Sequence, residues 1–106
     1  MYKEITFKRI TGKVGFRFDA LAVKLMCDDY NLELDQLETI PKEEYIPAWC
    51  YGAHRSYCMQ RYKRPKLNLK KVKKFIAVMR KEEWDELVKV MMLTQGEQGE
   101  SKEKKK

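Results

Sequence analysis

Apolar and polar positions alternate at the start of the chain and then settle into helical spacing. Residues 2–10 read as a strand with Ile5 and Phe7 on one face. Val14, Phe16 and Phe18 alternate with Gly15 and Arg17 in a second strand. Thr11-Gly12-Lys13 between them predicts a short hairpin turn, with Gly12 supplying the permissive backbone. Two strands alone are marginal in water, so this hairpin must lean on helices. Asp19 is placed to cap a helix over about 20–30, because its carboxylate can accept from free backbone N–H groups. Leu21, Ala22 and Leu25 are expected to face the core with Met26 beside them, and Asn31 to end the helix. Leu32, Leu34 and Leu37 form a short turn-like segment closed by Ile40-Pro41.

Pro41 and Pro47 fit only the first turn of the next helix, which therefore starts near 42–46 and runs to about 62. This helix is apolar on two opposite sides. Ile46, Trp49, Cys50, Ala53 and Tyr57 share one stripe; Ala48, Tyr51, Arg55, Met59 and Tyr62 share the other. A surface helix of a small domain needs one such stripe. The second, rich in Tyr, Arg and Met, has the composition of an interface, so Tyr51, Arg55, Met59 and Tyr62 are candidate protein-binding residues. Burial of the same stripe in a homo-oligomer would explain it equally well.

Pro65 marks a loop over 63–66, and Asn68 can cap a helix over 69–80 whose Leu69, Val72, Ile76 and Met79 recur at helical spacing. A last helix over about 82–94 opens with Glu82, Glu83 and Asp85, which complement its dipole, and carries Trp84, Leu87, Val88 and Met91 as its apolar stripe. From Gln95 no apolar residue follows, so 95–106 is expected to be a disordered Lys/Glu-rich tail behind a single globular domain over 1–94. The predicted class is α+β, mainly α: an N-terminal β-hairpin packed on a small bundle of about four helices.

Charge adds a second candidate surface. Of the net +7, residues 1–50 contribute none, with seven Lys/Arg against nine Asp/Glu. Residues 55–74 hold nine basic side chains and no acidic one. Arg61, Arg64, Lys66, Lys70, Lys71 and Lys74 are therefore candidate nucleic-acid contacts, and a small basic nucleic-acid-binding protein is the alternative reading. Arg61 and Arg64 beside Tyr57 and Tyr62 could stack on nucleotides, or Tyr57 could pack inward while the others cover the helix end. Trp49 and Trp84 are expected as core anchors.

Catalytic chemistry finds little support. Cys50, His54 and Cys58 have a metal-like spacing with Cys27 as a further ligand, but positions i and i+8 of a helix stand about 12 Å apart. Zinc holds its ligands at about 2.0–2.3 Å, so buried cysteines and a surface histidine are expected instead, with no metal and no cofactor. No local signature marks a Cys/His nucleophile pair, the paired acids sit at helix ends, and Gly12 and Gly15 are too few for a phosphate cradle. Three cysteines, no signal-like N-terminus and no run of about 18 apolar residues point to a reducing cytosol and to no membrane span.

The order of elements resembles the tail assembly chaperones of long-tailed bacteriophages. The likeness lies in Val14–Leu21 as a strand leading into a helix, Leu32–Leu37 as a leucine-spaced segment, Ala48–Arg55 as a small-and-aromatic central helix, and Asn68–Val72 as the capped start of the next. It covers roughly residues 3–94. The resemblance implies a non-catalytic protein of the host cytoplasm that binds the tape measure protein, shields its apolar helices, and helps recruit tail tube subunits. It also implies a longer product made by ribosomal frameshifting, for which codons of the lysine-rich end would suit. The basic 55–74 segment departs from the generic pattern.

Overall fold

A hairpin and four α-helices follow one another in the computed structural model, which describes residues 3–9 and 12–103, with side chains as far as residue 93. The order is β1 (Lys3–Arg9), β2 (Gly12–Phe18), α1 (Ala20–Asp29), a 3-10 helix (Leu34–Thr39), α2 (Lys42–Gln60), α3 (Leu69–Ala77) and α4 (Lys81–Glu103). The class is α+β, mainly α, with the hairpin at the N-terminus. No helix among the described residues is long and apolar enough to cross a membrane.

The strands pair antiparallel from Lys3 opposite Phe18 to Arg9 opposite Gly12. Gly12 at φ 119° and Lys13 already belong to β2; residues 10 and 11 lie outside the described residues. Alternation does what the sequence pattern expects. Phe7, Val14, Phe16 and Phe18 are buried, and Ile5 packs against them. Phe16 meets Phe7 edge-on at 6.0 Å and Phe75 of α3 at 5.8 Å, while Phe18 meets Trp49 of α2 at 5.3 Å. These rings join the sheet to two helices in one core, adding directional contact to their burial.

Asp19 caps α1 as expected, accepting from the Ala22 N–H at 2.9 Å. The core face of α1 differs from the expected one. Ala22, Met26 and Cys27 are buried, whereas Leu21 and Leu25 are only half-buried. The cause is a close helix approach: a Cβ on Gly52 of α2 would overlap the carbonyl oxygen of Ala22. Small residues must stand at that crossing, and this rotates the leucines toward the rim.

Pro47 lies inside α2, beyond the first turn to which the sequence rule confines proline. It removes the bond that residue 47 would have donated to Glu43, yet the helix continues because its flanks are held by packing. α3 ends at Ala77 rather than near 80, and Phe75 joins Val72 in the core. α4 extends to Glu103, past the expected end near 94; Glu, Gln and Lys are good helix formers and no proline intervenes. Residues 104–106 of the expected tail lie outside the described residues.

Gly52 offers a test in which two principles have opposite signs. Helix propensity alone would make Gly52→Ala stabilising by about 1 kcal/mol. Overlap with a backbone carbonyl that cannot rotate away should instead make it destabilising, by about 1–3 kcal/mol. Urea unfolding measures the sign, and a raised midpoint would contradict the close approach.

Candidate functional site

The polar residues of α2 are placed by its surroundings. α1, β2 and α3 all pack against this helix, so side chains on most of its circumference are enclosed. His54, expected at the surface, is 1 % exposed. Its Nδ1 lies 2.9 Å from the Gly15 carbonyl oxygen, and its Nε2 accepts the Lys66 N–H at 3.0 Å. These partners assign the proton to Nδ1. Burial lowers the His54 pKa below its ordinary 6.5; the bond to Gly15 opposes this and the Lys66 charge adds to it. Ser56, also fully buried, donates to the Asp19 carboxylate at 2.9 Å, and Arg17 Nε reaches the same carboxylate at 2.8 Å.

Cys27, Cys50 and Cys58 are buried, as the sequence suggests. Cys58 Sγ lies 3.7 Å from His54 Nε2, as residues four apart on one helix do. Burial pushes the Cys58 thiol up, and Nε2 is already occupied by a backbone donor. The pair is therefore built to hold a loop, since a nucleophilic cysteine needs a lowered pKa and a free base. Among the described residues no group of three or more His, Cys, Asp or Glu converges as metal ligands would.

The five residues of the second α2 stripe are not equivalent. Tyr51 is half-buried with the Arg55 guanidinium 4.0 Å above its ring, and Arg55 is ion-paired with Asp29. Met59 and Tyr62 are exposed, whereas Ala48 is in the core. Trp49 is buried; Trp84 only packs against the edge of the core.

The basic residues divide in the same way. Arg61 stacks 3.9 Å from the Tyr57 ring and bonds Glu4 at 2.9 and 3.2 Å. Tyr57 lies across Gly15, where a Cβ would overlap the ring. Arg61 first, and Arg17 after it, hold the Glu4 carboxyl below the usual carboxylate range. Lys66 is tied through its amide to His54, with Nζ 3.4 Å from the Lys13 carbonyl. Arg64, Lys70, Lys71 and Lys74 are exposed and have no acidic partner within ion-pair distance among the described residues.

One surface was missed by sequence reasoning. Trp84, Asp85, Val88, Lys89, Met92 and Leu93, all from α4, line a shallow, open groove on the surface of that one helix. Met92 is 65 % and Leu93 49 % exposed. Leu87 and Met91 fill the core side, so Trp84, Val88 and Met92, spaced by four, form a second stripe. The signal was the uninterrupted Val90-Met91-Met92-Leu93 run, too wide for one face. No protein-family model, curated protein or solved structure matches this chain.

His54 is the single histidine, so one group titrates in the mildly acidic range. Its folded pKa lies below 6.5, so the unfolded chain binds the proton first as pH falls. The stability linked to His54 should be complete above its ordinary pKa of about 6.5 and be lost as pH falls below it. Glu4 and Glu83, lowered from 4.5, act only below that window. Urea unfolding at stepped pH checks this: His54→Phe should be less stable throughout but lose the slope, and a slope that persists would contradict the assignment.

Proposed function

We propose that this protein is a non-catalytic tail assembly chaperone of a long-tailed bacteriophage, which binds the tape measure protein and helps recruit tail tube subunits in the host cytoplasm. The α4 groove carries the reading. Val88, Met92 and Leu93, flanked by Trp84 at the edge of the core, offer apolar area that the fold leaves largely open, on a helix already anchored by Leu87 and Met91. A client helix can pack its side-chain ridges into such a shallow helix-surface groove, and flexible methionine suits a client with many similar segments. Asp85 and Lys89 on the groove wall can orient the client without adding much affinity. The exposed Met59 near the end of α2 offers further contact. The order of strand pair, capped helix, leucine segment and central helix supports the same reading by resemblance.

Calorimetric titration with synthetic helical segments of the tape measure protein tests it. Binding should survive high salt, because burial of apolar surface dominates. Met92→Asp and Val88→Asp should each weaken it about tenfold or more, while circular dichroism stays unchanged. No binding to any segment, or binding indifferent to both substitutions, would overturn the assignment of the groove.

A further inference from the structure

The ion pairs leave one part of the molecule uncompensated. Glu4 is held by Arg17 and Arg61, Asp19 by Arg17, Asp29 by Arg55 and Glu83 by Arg9. Glu4 reaches the start of the α2–α3 loop at Arg61, but none of these acids reaches residues 63–68 or α3. On α3, Val72 and Phe75 point into the core, and Lys70 and Lys74 stand one turn apart on the opposite side with Lys71 beside them. Like charges so close repel one another, and the fold gains nothing from them.

The loop that leads into α3 is anchored at two places. The Lys63 N–H donates to the Cys58 carbonyl at 2.9 Å, closing the end of α2, and the Lys66 N–H donates to buried His54. Between α2 and these anchors, Tyr62 adopts φ 56°, a left-handed position that glycine usually takes. Its side chain is 99 % exposed. A tyrosine there contributes no packing and sits on unfavourable backbone, so its open ring face invites a use outside the fold.

We propose that the α2–α3 loop and the outer face of α3 bind single-stranded nucleic acid, with phosphates along Lys63, Arg64, Lys70, Lys71 and Lys74 and one base stacked on Tyr62. Basic side chains that follow a backbone, joined to an aromatic platform, are the elements of such recognition. A duplex keeps its base faces covered by stacking, and an acidic peptide has no planar face to lay on the ring. The single-stranded form fits both observations. This surface stands on residues separate from the α4 groove, so either can fail without the other.

Fluorescence anisotropy of the full chain with a labelled oligothymidylate tests it. Affinity should fall with salt at a log–log slope of about −3.5, as for roughly five phosphates. Tyr62→Ala should weaken binding about tenfold and leave the slope unchanged. Lys70→Glu with Lys74→Glu should reduce the slope by about 1.4. Both sets alter exposed residues only, and circular dichroism confirms the fold. Absence of binding, equal affinity for a duplex, equal competition by polyglutamate, or a Tyr62→Ala variant that binds as well as the parent would each overturn the proposal.

Discussion

The enclosure of α2 on three sides is the constraint from which the rest of this structure follows. A helix so placed must admit its neighbours closely and must find partners for whatever polar groups it carries inward. Gly52 meets the first demand by letting the Ala22 carbonyl approach, and Gly15 meets it by letting the Tyr57 ring lie across the hairpin. His54 and Ser56 meet the second. His54 links the β2 backbone to the loop after α2, and Ser56 links α2 to the residue that caps α1. β2, α1 with its cap and the loop after α2 are thereby held to one helix. The satisfaction is incomplete: Trp49 Nε1 and Arg55 Nε are buried without a partner among the described residues.

The two kinds of cation are used differently around this centre. The arginines act as clamps. Arg9 grips Glu83 with two hydrogen bonds while lying 4.5 Å from the Phe75 ring, and Arg55 and Arg61 lie against tyrosines while pairing with acids. A planar fork that stacks and pairs at once suits partly buried joints. The lysines of α3 remain on the outside as strongly hydrated point charges. The same division leaves two surfaces without a part in folding: the basic α3 side with Tyr62, and the apolar α4 groove.

How much of this was legible depends on how local each feature is. The hairpin alternation and the Asp19 and Asn68 caps are set by neighbours in sequence, and they could be read directly. The burial of His54 could not, because its partners Gly15 and Lys66 are 39 and 12 residues away. Ala22 and Met26 took the core as expected, but Leu21 and Leu25 gave way to Cys27, because a glycine contact on another helix set the rotation of α1. The second α2 stripe was a sound reading of periodicity, but Asp29 from α1 engages Arg55, which in turn covers part of Tyr51. The α4 groove was visible in principle, in an apolar run broader than one helix face.

We propose that an apolar helical client occupies the α4 groove and leaves the basic surface alone. Amide and indole shift mapping of the isotope-labelled protein tests this most directly, with a tape measure helix added at high salt to suppress phosphate-like contacts. The account predicts that the largest changes fall on Trp84, Val88, Met92 and Leu93. Changes confined to Lys63–Lys74, or none at all, would contradict it.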